Sequence, residues 1–435
     1  MFLHTQETKM AIIASPPLSI SERLLIKPSS PTPPSLRFHK LSLLDQALTS
    51  MYIPLVFFYP NNNRTDPTRV SDILQNALSR TLTSFYPYAG RLLDNATVDC
   101  NDAGAEFFRV RVNCTLLDII NHPDADAQNV AFPAGLPWAN IHDGGLAVFQ
   151  LSEFDCGGIA VSAAMCHKVG DGGTVRNFMG HWVAATRHPK LNLSPNFVSD
   201  SVFPTLPSGP LDKPMIPSKI EDDCVQKRFV FSGEKLDLLK DVVSEESGVK
   251  NPTRAEIVSA LLYKCCVKAA ASRRPSILVH YADMRPPLGL PCNSAGNILS
   301  TFSTSPAAAG EMDLARLVAE LREGKERLQS RDNELVQEIV TSLRTGEKPY
   351  ENPDLDIYFC SSLGKYPAYT ADFGWGWPCK VSMPKGPMKN MFFLIDNQSG
   401  GGFEALVMLK KTDMSGFERD EELLRFASPL PILNP

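Results

Sequence analysis

The chain has 435 residues, a formal charge of −5 at pH 7, and 43% apolar against 21% charged side chains. This is an ordinary globular mix, long enough for two hydrophobic cores. The weak acidity gives no general attraction for nucleic acid or an anionic membrane, so any anionic ligand needs a local cluster of cations.

Residues 1–17 hold a short apolar stretch at 10–15, broken by Pro16 and Pro17. It is too short for a secretory signal, and no later run approaches the roughly 18 apolar residues of a membrane span. Met10 offers an alternative start. Residues 28–44 are proline-rich and turn apolar at 41–44, which predicts an extended lead-in to a first strand at 52–59. A helix is predicted over 70–85, with Val70, Ile73, Leu74, Ala77, Leu78, Leu82 and Phe85 on one face.

Strand-like runs follow at 106–112, 146–151 and 158–166. Asp155, Gly157 and Gly158 supply a hairpin turn between the last two. A helix over 174–185 presents Val175, Phe178, Met179, Trp182 and Val183 at helical spacing. Between 187 and 220 seven prolines stand among Ser, Asn and Asp, and proline blocks helix interiors. That stretch predicts a crossover linker between domains at 1–186 and 221–435.

The second half opens with a strand at 227–231 and a helix at 233–243. Thr253 and Glu256 have capping-box spacing before the buried face of Ile257, Val258, Leu261, Leu262 and Cys265. Polar helices at 314–328 and 333–343 lead to strands at 391–395 and 405–409. The irregular mixture predicts α/β layering without a regular doubly wound sheet. There is no repeat at solenoid periods. The ten cysteines include no C-x-x-C pair, and read as reduced thiols of a cytosolic protein.

Two stretches carry chemistry. The first, Met165-Cys166-His167-Lys168-Val169-Gly170-Asp171-Gly172-Gly173, ends a predicted strand and precedes a helix. A metal reading would need His167 and Asp171 on one helix face, which the three glycines oppose, and no third ligand is near. That leaves a core histidine or a general base active near neutral pH. The second stretch is Asp372-Phe373-Gly374-Trp375-Gly376-Trp377-Pro378. By itself it reads as a tight turn packed on aromatic rings.

Together, H-x-x-x-D-G followed by D-F-G-W-G resembles the plant BAHD acyltransferase family. Phe85-Tyr86-Pro87-Tyr88-Ala89-Gly90-Arg91, Asp283-x-Arg285 and Gly296-Asn297 extend the resemblance over essentially the whole chain. It implies two chloramphenicol-acetyltransferase-like α/β domains joined by a long crossover, with a solvent channel at their interface. It also implies His167 as general base, with Asp372 and Trp375 counted in the catalytic group and the Trp375 indole as oxyanion donor. Asp171 is expected to pair with Arg285, and Gly172 and Gly374 to support the loops.

The expected co-substrate is acyl-CoA, most simply acetyl-CoA, with a small-molecule alcohol as acceptor and no permanently bound cofactor or metal. Thr253 and Arg254 at a helix N-terminus are candidates for the CoA phosphates. Ser300 and Thr301 are candidates for the pantetheine side. No acyl-enzyme nucleophile is evident, so direct transfer in a ternary complex is expected of a cytoplasmic monomer, closest to the family's alkaloid-acetylating branch. Longer-chain acylation of sugars or tropane-type alcohols, a non-catalytic binding descendant and a thioester hydrolase are the competing readings. Two departures, Pro286-Pro287-Leu288 directly after Arg285 and Trp377 in place of a common lysine, touch the CoA-side wall.

Overall fold

Two mixed β-sheets, each flanked by helices, organise the computed structural model, which describes residues 18–429 except 62–65, 123–124, 137, 142–144, 189–193, 206–222, 331–332, 346–351, 365, 367 and 387. The first sheet runs, in spatial order, through Leu18–Ile26, Ala105–Val112, Ala147–Phe154, Ile159–Cys166, Tyr52–Tyr59 and Lys380–Ser382. The second contains Leu299–Ser303, Ser276–Asp283, Asp356–Ser362, Met391–Asp396, Phe403–Lys410, Cys224–Phe231 and Ser428–Pro429.

The Tyr52–Tyr59 strand is apolar without alternation because both of its faces are covered. Phe57 and Tyr59 point into a core shared with Leu74, Leu78, Phe149, Phe178 and Trp182. Val56 and Phe58 point the other way, toward Phe108, Ile119 and Phe132. Each such side chain contributes about 1.5–3 kcal/mol by leaving water. The first core is closed by the helices Pro67–Ser84 and Gly172–Arg187. Asp66 caps the first by accepting from the Thr68 N–H (3.0 Å).

The predicted hairpin is present between Ala147–Phe154 and Ile159–Cys166, with Gly157 at φ +79° in its turn. In the second half the helix Arg254–Ala269 carries the expected capping box and buries Ile257, Leu261 and Cys265 in a separate core. All ten cysteines are free. Among the described residues no helix is long and apolar enough to cross a membrane.

Several elements differ from the expectation. Residues 41–44 do not lead extended into a strand. They enter the helix Leu43–Ala47, because Ser42 and Asp45 form a capping box of their own. Leu18–Ile26, Ser276–Asp283, Leu299–Ser303 and Asp356–Ser362 are strands that polar or exposed positions concealed. Lys380–Ser382, late in the chain, pairs with Val56–Phe58 of the first sheet. The chain therefore crosses back after the D-F-G-W-G stretch. Of the predicted linker, 189–193 and 206–220 lie outside the described residues, as do residues 1–17 with Met10.

Candidate active site

His167 stands immediately after the Ile159–Cys166 strand, where the chain leaves the sheet. Its N–H donates to the Met51 carbonyl (2.9 Å), and its own carbonyl accepts from Asn297 Nδ2 (2.8 Å). Both backbone groups of the residue are thus held, and the residue as a whole is partly exposed although its ring Nδ1 is buried. Burial pushes its pKa below the ordinary histidine value, against smaller upward pulls from its own backbone, Asp171 and Asn297. The ring is therefore neutral near pH 7 and able to accept a proton.

Asp171 caps the Gly172–Arg187 helix, its Oδ1 accepting from the Thr174 N–H (2.9 Å). Arg285 binds both of its oxygens, at 2.9 and 2.8 Å, and the Ile298 N–H adds a further bond at 3.0 Å. Burial would raise the carboxyl's pKa; the Arg285 charge and these donors outweigh it and hold it below the usual carboxylate range. The Arg285 guanidinium is completed by the carbonyls of Ser294 (2.9 Å) and Gly296 (3.2 Å) and by Asp283 (2.9 Å). A Cβ on Gly173 would lie 2.7 Å from Arg285 Nη1. Gly173, one of the three glycines of this stretch, makes room for the guanidinium. Gly172 meets only ordinary contact at 3.4 Å.

Asp45 is not among the site residues expected from the sequence. Its carboxylate accepts from the Ser42 N–H (2.8 Å), the Asn297 N–H (2.8 Å), Asn297 Nδ2 (2.7 Å) and Ser199 Oγ (3.0 Å). Asn297 therefore links this buried carboxylate to the His167 carbonyl. The S-x-x-D spacing of its own helix cap was the available signal.

The D-F-G-W-G loop lies elsewhere. Asp372 Oδ1 accepts from the Gly374 N–H (2.8 Å) and the Gly376 N–H (2.9 Å), and Oδ2 receives Arg187 Nη1 (3.0 Å). Gly374 and Gly376 have φ of +118° and +109°, angles that glycine adopts freely. Phe373 and Trp375 stack 5.6 Å apart, and Trp375 packs edge-on against Tyr59 at 6.0 Å.

Tyr59 and Met51 are at opposite ends of one strand, which advances roughly 26 Å between them at about 3.3 Å per residue. The helix gives a second ruler. Arg187, which holds Asp372, ends the 16-residue Gly172–Arg187 helix, whose start adjoins His167. That helix is about 24 Å long. The indole N–H of Trp375 is therefore far beyond hydrogen-bond reach of His167, and the oxyanion role expected of it is corrected to one of packing. Asp372, grouped with the catalytic residues, spends both oxygens on folding the loop and tethering it to Arg187.

A cavity of about 620 Å³ lies beside the Asp171–Gly173 turn, walled also by Thr253, Tyr281, Arg285, Ser361 and Lys325. Thr253 reaches it, but its hydroxyl accepts from the Glu256 N–H (3.3 Å) while Glu256 accepts from the Thr253 N–H (2.7 Å). Arg254 is turned to Asp396 (2.9 Å) and lies 4.5 Å over the Phe403 ring, outside the cavity wall. Leu299 and Phe302 line the wall; Ser300 and Thr301 do not. Arg176 is in the wall and has no ion pair among the described residues.

With this geometry in hand, the likeness to known proteins is extensive. The model of the Transferase family matches residues 17–424. Acyltransferase Pun1 of Capsicum frutescens is 50% identical over 430 residues, covering 94% of this chain and 98% of that protein. Acylsugar acyltransferase 3 of Solanum lycopersicum is 37% identical over 423 residues, covering 95% and 98%. The crystal structure of vinorine synthase matches with a TM-score of 0.82 at 29% identity, covering 95% and 99%. Two mixed sheets with a histidine turn after a central strand define an acyltransferase of chloramphenicol-acetyltransferase-like architecture. The chain belongs to the Transferase family, the plant BAHD acyltransferases.

Proposed function

We propose that this acyltransferase moves an acyl group, most simply acetyl, from acyl-CoA to a hydroxyl of a small plant metabolite, with His167 as the general base. The observation that carries this reading is a His167 whose backbone is held at both its N–H and its carbonyl and whose pKa burial lowers, beside an Asp171 whose oxygens are committed to Arg285. Asp171 is thus unavailable to take a proton, and His167 is left to do so. It would deprotonate the acceptor hydroxyl as the oxygen attacks the thioester carbonyl, and then return the proton to the departing CoA thiolate. Holding both substrates in one complex makes that attack effectively intramolecular.

The cavity beside Asp171–Gly173 is the side on which CoA would enter a channel between halves 1–186 and 221–435. Arg176 in its wall offers a cation for the phosphates, whereas Lys325 there already pairs with Glu256 (3.3 Å). Arg254 is a poor candidate because Asp396 already pairs with it. Acetyl transfer to an alkaloid or terpenoid alcohol follows from the alkaloid-acetylating branch that the sequence resembles. The 37% identity to an acylsugar acyltransferase favours a second reading, in which a longer or branched acyl group goes to a sugar hydroxyl. Action as a monomer in the cytoplasm belongs to the same proposal.

The test is a panel of acyl-CoA donors with pooled plant alcohols, read by mass spectrometry for the added acyl mass. An ester product with wild type and none with His167→Ala supports the reading. Release of free CoA without any ester would instead indicate thioester hydrolysis.

A further inference from the structure

A second cavity, of about 440 Å³, opens where Ile120, Asn121, His122, Ala125 and Gln128 face the Cys224–Phe231 strand. It shares no wall residue with the cavity beside Asp171. Lys380, in its wall, pairs with Phe58, near the end of the Tyr52–Tyr59 strand remote from His167. From Met51 to Phe58 that strand advances roughly 23 Å.

The walls bring Lys227, Arg228, Lys380 and Arg419 together against one carboxylate, Glu418. Two of these cations are already neutralised. Lys227 pairs with Glu418, and Arg228 pairs with Glu404, which also accepts the Tyr369 hydroxyl at 2.9 Å. The other two are not. Lys380 donates to the Ile120 carbonyl and Arg419 to the Ser415 carbonyl (2.7 Å), and neither forms an ion pair among the described residues. Lys380 is only 4% exposed. A buried ammonium that meets a carbonyl but no carboxylate is costly, and here the neighbouring guanidinium of Arg228 adds to the cost.

We propose that this cavity is a second ligand site, which takes a small oxyanion, a carboxylate or a phosphate, between Lys380 and Arg419. The occupant would give the buried Lys380 the counter-charge that the described residues leave out, with the exposed Arg419 as a second cation of the wall, and a cavity of this size suits a metabolite.

Burial, with a smaller push from Arg228, lowers the Lys380 pKa to about 7, against upward pulls from Glu404 and Cys379. Above that pH the amine is neutral, and below it the ammonium is present. An anion favours the ammonium, so binding takes up a proton and weakens as pH rises through about 7. The other charged or titratable groups facing the site are Lys227 and Arg228 from the strand, His122 from the opposite wall, and Glu418 and Arg419 from the C-terminal segment.

The experiment is calorimetric titration of the full chain with inorganic phosphate and, separately, with acetate, at saturating CoA so that phosphate sites for CoA are filled. At least one anion should bind, more tightly below pH 7 than above it, with proton uptake seen as a heat that depends on the buffer. Lys380→Met and Arg419→Met should each weaken binding by about tenfold or more, the weight of one charge-assisted pair. Acyl transfer by both variants should stay at the wild-type level, which also verifies that they fold. Absence of binding by either anion to wild type overturns the proposal, as does equal binding by Lys380→Met. Persistence of the pH dependence in Lys380→Met would assign the proton to another group and likewise overturn the role given to Lys380.

Discussion

Arg285 reaches across 114 residues of sequence to bind both oxygens of Asp171, and it fits there because Gly173 has no Cβ. The pair fastens the start of the Gly172–Arg187 helix, and with it the His167 turn, to the second half of the molecule. Removing one partner leaves the other charge buried and uncompensated, which costs on the order of 3–5 kcal/mol.

Arg285→Met should therefore lower unfolding stability by about that amount, measured in urea, with activity falling as the folded fraction falls. The double variant with Asp171→Asn should cost less than the two single changes summed. The Asp171 pKa is depressed in the folded state, so the stability it contributes is present above the unfolded carboxylate pKa and is lost as pH falls through the folded value. Unchanged melting with complete loss of turnover in Arg285→Met would instead argue for a direct part in the reaction.

His167→Ala should reduce kcat by about two to four orders of magnitude while the circular dichroism spectrum and melting temperature stay near wild type. Because the folded pKa of His167 is lowered, wild-type kcat/KM should fall on an acid limb below the ordinary histidine value and be flat above neutrality. A limb centred above pH 7 would mean that another group is the base.

Trp375→Phe should keep activity within a few-fold of wild type, because the ring still stacks on Phe373 and meets Tyr59. Trp375→Ala should lose about 3–5 kcal/mol of stability through the cavity it leaves. A collapse of kcat in Trp375→Phe with normal stability would restore an indole N–H role in the chemistry.

Asn297→Ala removes the donor that holds the His167 carbonyl and one link to Asp45. The expected result is a lower kcat at nearly constant KM, with the acid limb moved to lower pH because Asn297 pulls the imidazole pKa upward. A merely structural role would cut the amount of folded enzyme without moving the limb.

Local signals were enough where the chain specifies itself through neighbours. Apolar runs marked the Tyr52–Tyr59 and Ile159–Cys166 strands, and Thr253 with Glu256 marked the start of Arg254–Ala269. Gly172 and Gly173, read as opposing a helix, instead form its first turn; the Asp171 cap starts that helix only at Gly172 and so leaves His167 at a strand end where a base can work. Polar edge strands such as Leu18–Ile26 gave no comparable signal, because one or both of their faces stay wet and need no apolar pattern.

Only the tertiary structure decided which distant residues meet. It brought Asn297 and Asp45 under His167, turned Arg254 to Asp396, and returned Lys380–Ser382 to the first sheet. It also put His167 and Trp375, which the resemblance groups as catalytic, at opposite ends of one strand and one helix. Spacing along a chain carries no information about contacts between residues hundreds of positions apart. Those are settled by which buried charges find partners and which faces pack, and both depend on the whole fold.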